Sequence, residues 1–268
     1  MRVMGRAAVA SAWLVAATLA LAACDADPRS AAAGDGVLTV CAASSLRDAF
    51  VALADQFARA HPGVTVTFNF AGTQELRRQI EQGASCDVLA AADRRHMDAL
   101  ASAGQVRDPQ MFARSRPVIA VAREATSTIR ALEDLPAADR IVVGAPEVPI
   151  GAYTLELLSK AESRLGAGFA ARVQQHVVSR ELNVRQVLAK VRLGEAQAGV
   201  VYASDVHGLT DVGVVKLPDW LDVTAAYPIA VVGAAPHPAA RAFVDLVLSP
   251  GGQATLARAG LLARAEGG

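Results

Sequence analysis

The sequence predicts an α/β protein built as two lobes around a cleft. Three observations carry this. Short apolar runs rich in β-formers alternate with segments whose apolar residues recur at helical spacing. The first part of the chain reads β-α-β-α-β, the order of a parallel sheet covered by helices. Near Arg114 the rhythm changes and a second α/β series begins. In open sheets of this kind, ligands collect at the carboxyl ends of the strands.

Each element has a local reason. Val37–Ala42 is a short apolar strand, and Leu46, Ala49, Phe50, Leu53, Ala54 and Phe57 then form the buried stripe of a helix. His61-Pro-Gly63 stops it, and Val64–Phe70 alternates as a half-buried strand does. Leu76 and Ile80, closed by Gly83, mark a second helix; Asp87–Ala92 is a buried strand; Met97 and Leu100 lie on a third helix. In the second series Pro117–Ala122 is a strand, and Ser127–Asp139 is a polar segment of helix and turn. Ile141–Gly144 is a strand, Ala145–Gly151 a loop, and Tyr153 to about Leu165 a helix. Val177 and Val178 form a brief strand, and Val184, Val187, Leu188 and Val191 line a helix closed by Gly194. Ala198–Tyr202, Val212–Leu217 and Tyr227–Val232 are strands, before a final amphipathic helix around Phe243, Leu246 and Val247.

The start of the chain reads differently. Arg2 and Arg6 precede a run without charge from Ala7 to Ala23, whose apolar core is short for a membrane span of about 20 residues. This is the layout of a secretory signal. Its end, Leu21-Ala-Ala-Cys24, resembles the lipobox of bacterial lipoproteins, which implies cleavage before Cys24 and lipid on that cysteine. The alternative is an ordinary signal with Cys24 as a bystander. Residues 25–36, rich in Ala, Asp, Gly and Ser, read as a tether. About 230 residues remain for the fold, enough for one large or two small cores.

Lys plus Arg and Asp plus Glu each number 26, so the formal net charge is zero, and like charges do not cluster. Nucleic-acid binding, which rests on clustered cations, is excluded on that ground. Cys41 and Cys86 are left after processing; an exported protein can pair them, but each lies in or beside an apolar run, and unpaired thiols are expected.

The junction Cys41-Ala-Ala-Ser-Ser-Leu46 poses the functional question, because a strand runs through two hydroxyls straight into a helix. Ser45 stands where an N-cap belongs, with Asp48 as the acid of a capping box, a role worth about 1 kcal/mol. A cap does not need Ser44 as well. Phe70-Ala-Gly-Thr73 repeats the strand-to-helix passage, and Asn183-Val-Arg185 opens a third helix. Helix N-termini present unpaired N–H groups and partial positive charge, so several converging on one cleft suit a small oxyanion.

Six phrases occur in order: Val40-Cys-Ala-Ala-Ser-Ser-Leu46, Phe70-Ala-Gly-Thr73, Gln79-Ile-Glu-Gln-Gly-Ala84, Asp87-Val-Leu-Ala-Ala-Ala-Asp93, Gly144-Ala-Pro-Glu-Val-Pro-Ile-Gly151 and Gly199-Val-Val-Tyr-Ala-Ser-Asp205. Together they resemble the molybdate-binding proteins of ABC transporters, from about Val37 to the end. The resemblance implies the type II periplasmic-binding fold, two α/β lobes joined by crossing strands. It divides the chain into a signal (1–23), a tether (24–36), one lobe from 37–116 with 226–268, and another from 117–225. It also implies a ligand set of hydroxyls and backbone N–H groups: Ser45, Thr73, Ile150, Val184 and Tyr202, with Ser44 as a possible addition. The ligand is then molybdate or tungstate, with molybdenum held as the oxyanion and no cofactor or metal cation. The partners implied are an ABC permease and its ATPase, and a monomer tethered by lipid on Cys24 to the outer face of the cell membrane. Thr73 stands where serine is usual, and the loop before Ile150 is one residue short. Arg47, Arg77, Arg78 and Arg185 are read as exposed helix faces, since dipoles suffice for a dianion shielded from water.

Two other classes compete. Another tetrahedral anion, sulfate or phosphate, would use the same fold, although phosphate carries a proton at neutral pH and favours an acceptor in the pocket. An exported hydrolase would need a base beside its serine and a signature such as Gly-x-Ser-x-Gly, which is absent. The five histidines are scattered, and no pair has metal-ligand spacing. Enzymatic activity is not expected.

Overall fold

The computed structural model describes residues 36–264; the signal, Cys24 and nearly all of the tether lie outside them. Two sheets organise these residues. The first has the order β11-β4-β10-β3-β1-β2 and the second β7-β6-β8-β5-β9. The first contains β1 (Gly36–Ala43), β2 (Val64–Ala71), β3 (Val88–Ala90), β4 (Val106–Ser115), β10 (Ala225–Val232) and β11 (Leu262–Ala263). The second contains β5 (Pro117–Ala122), β6 (Ile141–Gly144), β7 (Val177–Glu181), β8 (Ala198–Tyr202) and β9 (Val212–Lys216).

The expected parallel arrangement holds for β1 with β2 and β3, and for β6 with β7 and β8. Elsewhere the sheets are mixed. β10 runs antiparallel to β3 and β4, and β5 antiparallel to β8 and β9. These antiparallel strands belong to the passages between the sheets. The chain crosses outward between Ser115 and Pro117 and returns between β9 and β10.

Helices cover both faces of the first sheet. On one face α1 (Arg47–Ala60), α7 (Ala240–Leu248) and α8 (Pro250–Arg258) bury Phe50, Phe57 and Phe243. Phe50 meets Phe112 edge-on at 5.8 Å and Phe57 meets Phe243 at 5.4 Å, aromatic contacts worth about 0.5–1.5 kcal/mol each beyond their buried area. On the other face α2 (Thr73–Glu81) and α3 (Arg94–Ser102) bring Leu76, Ile80, Met97 and Leu100 onto Leu89, Val106 and Ala230. The second sheet carries α4 (Pro149–Leu165) against β6 and β8, α5 (Phe169–Gln175) against α4, and α6 (Val184–Arg192) against β8, β6 and β5.

Several local expectations are corrected. Cys41 and Cys86 are not free thiols but a disulfide: the loop between α2 and β3 brings Cys86 to a Cα–Cα distance of 6.0 Å from Cys41 on β1. Closing a loop of 45 residues adds about 4 kcal/mol in the chain-entropy account. Residues 145–151 are not all loop: α4 already starts at Pro149, the N1 position that proline's fixed φ favours. Ser127–Asp139 holds only a short 3-10 turn, Leu132–Ala137, with Pro136 inside it. β4, α5, α8 and β11 are elements that periodicity did not disclose.

Candidate functional site

The carboxyl ends of β1, β2, β6 and β8 run into the same small cavity between the sheets. It is lined by Ala43, Ser44, Ser45, Ala71, Gly72, Thr73, Ala92, Val148, Pro149, Ile150, Asn183, Val184 and Tyr202. All five residues expected from the sequence are present, with Ser44 beside them. No lining residue carries a formal charge. The space is about 10 Å³, room for roughly one water molecule.

The first sheet's lobe contributes hydroxyls. Ser44 and Ser45 lie in a 3-10 turn (Ser44–Leu46) that leads into α1, and both are buried. The capping reading of Ser45 does not hold: α1 has no side-chain cap, and Leu46 occupies the N-cap position. The Ser45 Oγ instead accepts a hydrogen bond from the Tyr227 phenol at 3.4 Å. Thr73 is the first residue of α2, with Gly72 as its N-cap. Thr73 Oγ1 accepts from the Ala92 N–H at 3.0 Å, which leaves the threonine's own proton free for the cavity. Gly72 is needed for close approach, since a Cβ there would collide with the Leu182 carbonyl across the cleft.

The second lobe contributes backbone and one phenol. Ile150 and Val184 occupy the first turns of α4 and α6, where N–H groups lack intrahelical acceptors. Asn183 caps α6 through Oδ1, which accepts from the Gln186 N–H at 3.1 Å, so the cap leaves the Val184 N–H unused. Tyr202 ends β8 at 1% exposure, and its buried hydroxyl has no hydrogen-bond partner. A buried unpaired hydroxyl costs about 1–3 kcal/mol. Burial pushes the Tyr202 phenol well above its ordinary value, reinforced by Tyr227, so it stays protonated and can donate. Tyr153 is pushed up to about 12, chiefly by burial, while its oxygen accepts from the Ala226 N–H. Tyr202 packs edge-on against Tyr227 at 5.7 Å and Tyr153 at 6.3 Å.

Charged groups stand just outside. Arg185 pairs across the cleft with Asp48 at 2.6 Å and lies 3.6 Å from the buried Asp205. It is thus half-buried rather than an exposed face, as is Arg77, which pairs with Glu81. Arg47 lies over the Phe70 ring and Arg78 pairs with Glu75, both exposed as expected. Two further contacts span the cleft. Gln74 Nε2 donates to the Leu182 carbonyl at 2.8 Å, and Arg95 and His96 reach the Glu147 carbonyl at 2.8 and 2.9 Å. Among the described residues, no group of three His, Cys, Asp or Glu is placed to hold a metal ion.

Sequence reasoning missed Tyr227, Gln74 and Asp205. Asp205 lay within a phrase already singled out. Tyr227 was visible as a strand residue but gave no sign that it faces Ser45.

The arrangement can hold a small anion by five neutral donors from two lobes. It contains no nucleophile–base pair, because the hydroxyl neighbour of Ser45 is a phenol. Residues 38–262 match the profile of the family described as bacterial extracellular solute-binding protein. The molybdate-binding protein ModA of Mycobacterium tuberculosis is 38% identical over 237 residues, 87% of each chain. Two solved structures share the fold. The periplasmic molybdate-binding protein of Azotobacter vinelandii has a TM-score of 0.74 at 18% identity, covering 85% of this chain and 100% of its own. The sulfate-binding protein SubI of Mycobacterium tuberculosis has a TM-score of 0.75 at 19% identity, covering 86% and 88%.

Proposed function

The chain belongs to the family of bacterial extracellular solute-binding proteins, and we propose that it captures molybdate, with tungstate as an isosteric alternative, and hands it to an ABC import permease and its ATPase. The observation that carries this reading is the buried, unpartnered Tyr202 hydroxyl in a cavity that is lined by no charged residue and by the hydroxyls of Ser44, Ser45 and Thr73. A dianion without protons satisfies that hydroxyl and accepts from Ser45, Thr73 and the N–H groups of Ile150 and Val184. The identity to a molybdate-binding relative supports the choice of ligand. Sulfate is the competing dianion, and phosphate is disfavoured because no carboxylate lines the cavity to accept its proton.

Residues 37–116 with 226–268 act as one lobe and 117–225 as the other, hinged at the two crossings. A cavity of about 10 Å³ is too tight for a four-oxygen anion, so the lobes part to admit it and settle around it. Closure excludes water, and neutral donors act more strongly in the lower dielectric. Lipid on Cys24 anchors the mature monomer at the outer face of the cell membrane; a diacylated cysteine holds where one chain would bind only marginally.

Titration calorimetry of the protein with molybdate, tungstate, sulfate and phosphate in parallel tests the reading. One-to-one binding of molybdate and tungstate, with sulfate and phosphate at least about 100-fold weaker, is expected. Preference for sulfate or phosphate overturns the ligand and keeps the fold.

A further inference from the structure

We infer that Tyr227 is a positioning residue for anion capture: it orients the Ser45 hydroxyl so that its proton points into the cavity. This inference rests on the oxyanion reading of the site above.

A serine hydroxyl has one proton and two lone pairs, and any of them can face a ligand. If Ser45 gave its proton to a protein acceptor, it would show the anion only lone pairs and repel it. The structure assigns the opposite polarity. Tyr227, fully buried on β10, donates its phenolic proton to Ser45 Oγ at 3.4 Å. One lone pair of Ser45 is thereby occupied, and its own proton is released towards the cavity.

Further hydroxyls stand behind Tyr227. Ser204, just beyond β8, is a second hydroxyl beside the Tyr227 phenol. Ser204 Oγ in turn lies 3.3 Å from Ser115 Oγ at the end of β4. Ser115, Ser204, Tyr227 and Ser45 thus form a run of neighbouring hydroxyls behind the cavity, in which the Tyr227–Ser45 bond sets the polarity that the cavity meets. It starts where the chain crosses between the sheets and ends on the anion. Thr73 is oriented by the same logic, with the Ala92 N–H in place of the phenol. Tyr227 does not line the cavity, so its phenolic proton acts through Ser45, while its ring packs on Tyr202, a contact that phenylalanine keeps.

The test is a double-mutant cycle read by calorimetry with molybdate. Tyr227→Phe keeps the ring and removes the proton. It should raise Kd by roughly 3- to 10-fold in the wild-type background and by less than about 2-fold in the Ser45→Ala background, where no hydroxyl is left to orient. A merely structural tyrosine would cost the same factor in both backgrounds, and that result overturns the inference, as does no effect in either. Ser204→Ala should weaken binding in the same direction by a smaller factor, and it replaces Tyr227→Phe in the cycle if that variant does not melt cooperatively. Wild-type protein binding none of molybdate, tungstate or sulfate would overturn the site reading and this inference with it. Binding with equal factors overturns this inference alone.

Discussion

The cleft is bordered by an inner and an outer set of residues, and the two differ in chemistry. The inner set, Ser45, Thr73, Ile150, Val184 and Tyr202, is buried and neutral. The outer set joins one lobe to the other through Asp48 with Arg185, Arg95 and His96 with the Glu147 carbonyl, and Gln74 with the Leu182 carbonyl. A cation placed inside would carry a large desolvation cost in the empty site and would attract any anion that fits. Fixed hydroxyl and N–H dipoles need no counter-ion and respond to the anion's geometry. The charges, kept at the rim, pair with one another when the lobes meet. On the proposed function, affinity and selectivity belong to the inner set and closure to the outer one.

The largest effects are expected inside. Ser45→Ala and Tyr202→Phe should each raise the Kd for molybdate by about 10- to 100-fold, the equivalent of roughly 1–3 kcal/mol for a hydrogen bond to a charged partner. Thermal melts without ligand should stay cooperative for both. Tyr202→Phe should even melt no lower than wild type, because it removes a buried hydroxyl that has no partner. If these variants melt early yet bind normally, the inner set is structural and the comparison collapses.

Asp205 sits between the two sets and sharpens the boundary. Its Oδ2 accepts from the Tyr202 N–H and its Oδ1 faces Arg185. Burial, opposed by Arg185, raises its pKa from 3.8 to about 7. This is an acid with a raised folded pKa, so between about pH 4 and pH 7 the folded state keeps a proton that the unfolded chain has lost. Its contribution to stability is fully present below about pH 4 and is lost as pH rises through 7. Asp205→Asn should remove that slope, and urea melts of wild type and variant between pH 4 and 8 measure it. Parallel curves would place Asp205 among ordinary solvated carboxylates.

Smaller effects are expected at the rim. Gln74→Ala removes one bond that exists only when the lobes meet, and should raise Kd by about 2- to 10-fold through the closed population. Asp48→Ala should change Kd by less than about 5-fold, and high salt should erase the difference, since its side chain is 74% exposed. A rim variant that costs more than Ser45→Ala would reverse the ranking of the two sets.

Much of the architecture was legible because buried strands and amphipathic helices announce themselves by period. β4 was hidden because Arg107, Asp108, Pro109 and Gln110 interrupt any alternation, and Asp108 takes a positive φ of 47°. α8 was hidden because Ser249-Pro-Gly-Gly252 reads as a turn, although Ser249 is a working N-cap that accepts from the Gly252 N–H. At the site, Ser45 and Thr73 could be picked out from strand–helix junctions. Ile150, Val184 and Tyr202 rested on resemblance, since a backbone donor leaves no mark on residue type and a tyrosine at a strand end reads equally as a core residue. The Tyr227–Ser45 bond joins positions 182 residues apart, and only the packed fold reveals it. The same holds for the disulfide, where apolar neighbours suggested buried thiols and the path of the loop before β3 decided otherwise.

The central claim is that neutral groups alone hold the anion. A crystal structure of the molybdate complex, with molybdenum located by its anomalous signal, tests it most directly. The prediction is that the anion's oxygens lie at hydrogen-bond distance, about 2.7–3.2 Å, from Ser45 Oγ, Thr73 Oγ1, the Ile150 and Val184 nitrogens and Tyr202 Oη, with Arg185 still on Asp48. An oxygen bound by a guanidinium or a lysine, or an anion seated outside this cavity, would contradict it.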